Sequence, residues 1–260
     1  MKNIDNIVQE EENVIIINEK NKKWLIKAIH GKKFSMHTGE INLSDIIGLE
    51  YGTQIQTHLE KKLWVVKPTI ADYIMKIKRN TQIIYPKDLG YLLVSTGIQP
   101  GSRVLEAGTG SGALTSLLGL IVKPGHVYTY EVREEFIETA QNNLKKAGVE
   151  KNVTIKLKNA VEGFDEKDID AVFLDLGDPW NLIDQAHDSL KGGGMISVIT
   201  PTYNQAEKVV YKMNNTFIDI DTCEIYLRRI LAREGKTRPA TTMIAHTALI
   251  TTGRKANQKK

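Results

Sequence analysis

The sequence predicts a doubly wound, mostly parallel α/β sheet closed by an antiparallel hairpin, preceded by a small N-terminal β module. Three observations carry this. From residue 88 onward, short apolar runs alternate with amphipathic ones, the rhythm of a parallel sheet covered on both faces. The strand pattern RVLEAG at 103–108 runs straight into Gly108-Thr109-Gly110-Ser111-Gly112 and then a helix, which places a glycine loop at a strand's carboxyl end. Before residue 68 the chain shows β-branched runs cut by turn residues, the spacing of a small barrel or curled sheet.

In the N-terminal module, 1–68, the strand patterns are VIIIN (14–18), WLIKAIHG (24–31), the stretch around Lys33 to Gly39, YGTQIQTH (51–58) and KLWVVKP (62–68). Residues 69–79 put Ile70, Ile74 and Ile77 on one helical face, and TQIIYPKD at 81–88 is an apolar loop stopped by Pro86, so 69–87 reads as a linker helix and loop. The larger domain, 88–254, then reads helix (DLGYLLVSTG), strand (RVLEAG), helix (ALTSLLGLIVK), strand (HVYTYEV) and helix (REEFIETAQNNLKKAG), closed by Gly148. Strands VTIKLKN and DAVFLDL follow, then a helix NLIDQAHDSLK ended by Gly192, Gly193 and Gly194, a strand MISVIT and a helix YNQAEKVVYKMNN. The last two patterns, FIDIDTCEIYLRRILA and TMIAHTALITTG, have no helix between them, so one is expected to run antiparallel; 255–260 is a basic tail.

Composition narrows the class. With 41% hydrophobic and 25% charged residues over 260 positions, the chain is ordinary globular protein with a real core. Its longest uncharged stretch, 107–122, holds four glycines and several hydroxyls and falls short of the ~20 apolar residues of a membrane span, so no membrane partner is expected. The N-terminus is acidic where a signal peptide would be apolar, and the single Cys223 cannot form an intrachain disulfide, which predicts a cytoplasmic protein. The charge is lopsided: residues 227–260 carry nine Lys/Arg against Glu234 alone, +8, and the rest of the chain is −4. Such polarity suits a polyanion, because each phosphate contacted releases condensed counterions. A solvated strand face with a basic tail explains the same charges without a partner.

Three acids at strand ends decide the ligand. GTGSGA also fits a dinucleotide fingerprint, so a nicotinamide enzyme has to be weighed. Glu106, two residues before Gly108, would face the ligand crevice, where it suits a cationic amino-acid tail and repels a pyrophosphate. Glu131, 23 residues after Gly108, ends the next strand, where a carboxylate can take both hydroxyls of an adenosine ribose. Glu162 follows the third strand and would lie by the adenine. Together they point to S-adenosylmethionine rather than NAD. No metal is expected.

TQIIYPKD, VLEAGTGSGALT, YEVREEF, FLDLGDPW and RPATTMIAHTALI, in order over 79–250, resemble the tRNA (adenine-N1)-methyltransferase family within the class I S-adenosylmethionine-dependent methyltransferases. The resemblance implies a Rossmann-like sheet with a small N-terminal barrel domain and a homotetramer. It implies methylation of N1 of T-loop adenosine 58, with 57 as a second position in some archaeal members. By matching motif, Ser111, Gly112, Ala113, Leu114, Glu131, Glu162 and Asp175 should line the cofactor and reaction pocket, with Gln82 nearby; Gly108 and Gly110 supply its loop. Two positions depart from the family pattern. Gly177 stands where Pro is common, which would loosen the loop holding the target base, and Asn159 stands where an acid is common, keeping a hydrogen bond to adenine without the charge.

Asp175 is the candidate catalytic residue. Adenine N1 already has an in-plane lone pair, so the reaction needs position and charge stabilisation, and a carboxylate on the N6 amino group supplies both. Asp175 could also hold the cofactor's ammonium. Tyr85 and Trp180 are candidates for stacking on an extruded adenosine. Arg228, Arg229, Arg233 and Arg238, with Lys78, Arg79 and Lys87, are candidates for tRNA contact. His246 and His58 read as structural histidines. Two other readings stay open: a class I methyltransferase with another acceptor, RNA or protein isoaspartyl, and a non-catalytic tRNA-binding partner subunit.

Overall fold

The computed structural model describes residues 6–76 and 84–257, which fall into two compact units, Met1–Ile77 and Lys78–Lys260. In the first unit, β1 (Asn13–Asn18), β2 (Lys23–Lys27), β5 (Gln54–Gln56) and β6 (Lys62–Val66) form an antiparallel sheet in the order β2-β1-β6-β5. The pair β3 (Lys33–Met36) and β4 (Gly39–Asn42) makes a separate hairpin. Val14, Ile16, Leu63 and Val65, at alternate positions, share the face that enters the module's core, while Ile15 is buried as well on the other face of β1. Helix α1 (Ile70–Lys76) follows; Ile77 of the expected stripe lies outside the described residues.

The second unit holds a seven-stranded sheet. Its strands are β7 (Arg103–Ala107), β8 (His126–Glu131), β9 (Val153–Leu157), β10 (Ile169–Leu174), β11 (Leu190–Thr200), β12 (Phe217–Glu224) and β15 (Leu249–Lys255), in the order β12-β15-β11-β10-β7-β8-β9. The five strands from β11 to β9 are parallel, and β15 runs antiparallel to both neighbours, as the missing helix before it predicted. Val104, Leu105, Val172, Phe173 and Leu174 are completely buried, because helices cover both faces. Those helices are α2 (Pro86–Thr96), α3 (Ala113–Val122), α4 (Glu134–Ala147), α5 (Ile183–Ser189) and α6 (Tyr203–Met213). Gly148 ends α4 as expected: at φ +70° its amide reaches back to the Leu144 and Lys145 carbonyls. Among the described residues no helix is long and apolar enough to cross a membrane.

Two expectations need correction. Gly192, Gly193 and Gly194 do not cap a helix; α5 stops at Ser189 and the glycines lie inside β11, where the register against β10 shifts between Ile169 and Ala171. That shift accommodates extra residues as a bulge, for which small residues are suited. The long pattern 217–232 also breaks, with β12 ending at Glu224. The last pattern is cut back too, β15 starting only at Leu249, so residues 225–248 form an arm, exposed over most of its length, that carries a two-residue-per-strand hairpin, β13 (Ile230–Leu231) and β14 (Arg238–Pro239).

Candidate active site

Strand order reverses at β7, whose neighbours are β8 on one side and β10 on the other, so a crevice opens at the carboxyl ends of these strands. The Asp175 amide donates to the Ala107 carbonyl (2.9 Å), drawing the two strand ends together. Gly108 is required here. At φ +99°, a Cβ on it would stand 1.9 Å from the Asp175 carbonyl oxygen. Gly110, also at positive φ, donates its amide to Glu131 Oε2 (2.9 Å). Gly112 acts differently from expectation: its missing Cβ would meet Ala140 Cα at 3.3 Å, so it seats α3 against α4 and is not part of the cavity wall.

The loop bounds a cavity of about 620 Å³ with four carboxyl groups in its wall, Glu106, Glu131, Asp175 and Asp178. Glu131 Oε1 accepts from the Val132 and Arg133 amides (2.9 and 3.0 Å) and Oε2 from Gly110, which uses three of the roughly four acceptor sites of a carboxylate. About one acceptor site is left for a ligand hydroxyl. Glu106 is fully buried; its Oε2 accepts from Thr115 Oγ1 (2.6 Å), while Oε1 has no hydrogen-bond partner among the described residues. Burial pushes its carboxyl up to about 8, with the charges of Asp175 and Glu131 adding to the rise. Glu106 is therefore largely protonated at neutral pH until a cation stands beside it, which corrects the expectation of a standing negative charge. Burial also pushes Asp175 up to about 6, so that group is ionised at pH 7.

A second cavity of about 490 Å³ shares Ile84, Asp175, Leu176 and Gly177 with the first. Its far wall comes from chain far away in sequence: Ile199 at the end of β11, Pro201 after it, Gln205 of α6, and Ile244, His246, Thr247 and Ala248 before β15. Tyr85, at the N-cap of α2, lines it. Gly177 is held, not loose. Gln205 Nε2 donates to its carbonyl (3.0 Å), and a Cβ at Gly177 would meet open space, so the departure from Pro leaves the loop tied.

The remaining candidates divide. Ser111, Ala113, Leu114 and Asn159 line the first cavity; Asn159 Oδ1 accepts from the Val161 amide (3.1 Å), which orients its side chain. Glu162 is exposed and does not line it; Ala160 and Val161 of the same 3-10 turn take that place, because the turn rotates its third residue outward. Trp180 does not line the second cavity either. It packs on the core edge under Lys208 (4.6 Å from the ring centroid) and lines a separate hollow beside α6. Lys87 is no phosphate contact: it is nearly buried, donating to Asp88 Oδ1 (2.7 Å) and Thr247 Oγ1 (2.5 Å). Arg228, Arg229, Arg233 and Arg238 are exposed on the arm and line neither cavity. Gln82, with Lys78 and Arg79, lies outside the described residues. Sequence reasoning missed Tyr130, which lines the first cavity, and Gln205 and His246, which line the second. Tyr130 precedes Glu131 in the motif and was legible there, but no spacing links Gln205 to Gly177 or His246 to Pro201.

An open sheet of this order, a glycine loop after its central strand and an acid ending the next strand define a class I S-adenosylmethionine-dependent methyltransferase. The family model described as tRNA methyltransferase complex GCD14 subunit matches residues 61–260, and the chain belongs to that family. It is 36% identical to the tRNA (adenine(57)-N(1)/adenine(58)-N(1))-methyltransferase TrmI of Methanocaldococcus jannaschii, over 92% of this chain and 94% of that one. A solved Thermotoga maritima structure titled a SAM-dependent O-methyltransferase superposes with a TM-score of 0.94 at 36% identity, covering 100% of this chain and 98% of that one. The tRNA (m1A58) methyltransferase TrmI of Aquifex aeolicus superposes with a TM-score of 0.85 at 34% identity, covering 97% and 100%.

Proposed function

We propose that this protein methylates N1 of adenosine 58 in the T-loop of tRNA. The observation that carries the reading is the pair of cavities meeting at Asp175, one against the glycine loop and one against Tyr85. The first fits S-adenosylmethionine: Gly108 and Gly110 leave room for close approach, Glu131 keeps an acceptor for a ribose hydroxyl, and the buried, unpartnered Glu106 Oε1 suits a cationic group. Bound there, the cofactor supplies a methyl group on a positively charged sulfur. In the second cavity the Asp175 carboxylate accepts from the adenine N6 amino group, fixes the ring plane and opposes the positive charge that grows on the base. Tyr85 replaces part of the stacking lost when the base leaves the T-loop. Reverse transcription tests the position, because an N1 methyl blocks the pairing edge. A stop is expected at A58 after treatment with protein and cofactor, and a transcript with A58 replaced reports whether A57 is also an acceptor.

The proposal includes a homotetramer, supported by the arm, where Leu227, Ile230, Leu231, Met243 and Ile244 are all exposed in the single chain. It includes work in the cytoplasm, in keeping with the unpaired thiol of Cys223. The arm's arginines are assigned to RNA. If they touch phosphate, the log of tRNA affinity should fall with log salt at about −0.7 to −0.9 per contact, and neutralising Arg228, Arg229, Arg233 and Arg238 together should flatten that slope. An unchanged slope with a smaller mass by light scattering would make them subunit contacts.

A further inference from the structure

We propose that Tyr203, Tyr226 and His246 form a stacking platform at the mouth of the base cavity for the unpaired nucleotides that flank the target adenosine. The inference rests on the tRNA reading above. Tyr203 is 68% and Tyr226 58% exposed, so neither ring is explained by the core. Both are nonetheless held by one carboxylate oxygen: Glu224 Oε2 accepts from Tyr226 Oη (2.7 Å) and Tyr203 Oη (3.3 Å). The other oxygen of Glu224 accepts from His246 Nδ1 (2.6 Å), and His246 Nε2 donates to the carbonyl of Pro201 (2.7 Å). Pro201 and His246 both line the base cavity, and the His246 ring lies nearly parallel to Tyr203, 19° between planes and 6.2 Å between centroids. Three rings, from α6, the start of the arm after β12 and the segment before β15, are thus locked by a single acid at the cavity's edge.

The chemistry selects the occupant. An acceptor faces each ring nitrogen of His246, and hydrogen bonding to the Pro201 carbonyl and Glu224 raises its pKa. Arg228 and Arg229 follow Tyr226 by two and three residues and are exposed. Fixed aromatic faces beside positive charge match single-stranded nucleic acid, where every base offers a π-face and the backbone offers phosphate. Extruding one adenosine unstacks its neighbours, and rigid rings at the mouth give them a surface to stack on without further ordering cost.

A binding cycle tests this. The affinities of the wild type, the Tyr203→Ala/Tyr226→Ala pair and the Tyr203→Phe/Tyr226→Phe pair are measured by fluorescence anisotropy. Each is titrated with intact tRNA and with tRNA abasic at the nucleotides flanking the target. The alanine pair should weaken intact tRNA by roughly ten- to a hundredfold but abasic tRNA by less than about threefold, and the phenylalanine pair should keep most of the affinity. S-adenosylmethionine affinity should not move. Equal losses on both RNAs, no loss on either, or a change of mass in light scattering would overturn the platform, the last by making these rings a subunit contact. Wild-type protein that binds tRNA yet forms no 1-methyladenosine would overturn the parent reading, and the binding cycle would still decide the platform. Failure of the wild type to bind tRNA at all would overturn both.

Discussion

Replacing Asp175 by Asn is expected to lower kcat for tRNA methylation by about a hundredfold or more, the scale of losing one preorganised electrostatic group. The amide still offers an oxygen to the N6 amino group, so tRNA affinity should stay within about threefold and the loss should appear in kcat, at about 1.4 kcal/mol per tenfold. The pH profile gives a second readout. Burial holds Asp175 at about 6, so its carboxylate, the active form, is lost as pH falls through that value, and the rate of the wild type should fall on the acid side. A cationic cofactor alongside moves that limb lower, never higher. The Asn variant should lack it. Steady-state kinetics showing near wild-type kcat for Asp175→Asn at saturating cofactor and tRNA would remove Asp175 from the chemistry.

Glu131→Ala should weaken S-adenosylmethionine by at least about a hundredfold. Loss of a charge-assisted hydrogen bond to ribose accounts for roughly ten- to a hundredfold, or about 1.5 to 3 kcal/mol. The remainder comes from the protein itself, because Glu131 also receives the Gly110, Val132 and Arg133 amides, and without it the glycine loop loses one of its ties to β8. Calorimetry should therefore show both a weaker Kd and a lower Tm without ligand. Glu131→Gln should fall between, since an amide keeps one acceptor but turns a donor toward amides that also donate. Unchanged affinity in the Ala variant would place the ribose elsewhere.

The first cavity was legible because its parts are local in sequence. The glycine loop, Glu131 and Asp175 each follow directly from a strand whose apolar run announces itself, and parallel order brings those strand ends together. The second cavity was not, because its far wall is assembled from 199–205 and 244–248, which meet only after β15 inserts between β11 and β12. Trp180 and Lys87 show the same limit from the other side. An aromatic after DLGDP reads as a base-stacking ring, yet its neighbours on α6 take it away from Asp175. A lysine in a basic neighbourhood reads as a phosphate contact, yet Thr247, 160 residues on, completes a buried site for its charge with Asp88. Glu162 failed by one residue of rotation in a 3-10 turn, a distance no spacing rule resolves.

The most direct test of the central claim is product analysis. The protein is incubated with methyl-labelled S-adenosylmethionine and an unmodified tRNA transcript, and the RNA is digested to nucleosides and resolved by mass spectrometry. The account predicts label in 1-methyladenosine, abolished when A58 and A57 are both replaced. Label in a ribose 2′-O-methyl group or in another base, or no label in RNA despite measured cofactor binding, would contradict it.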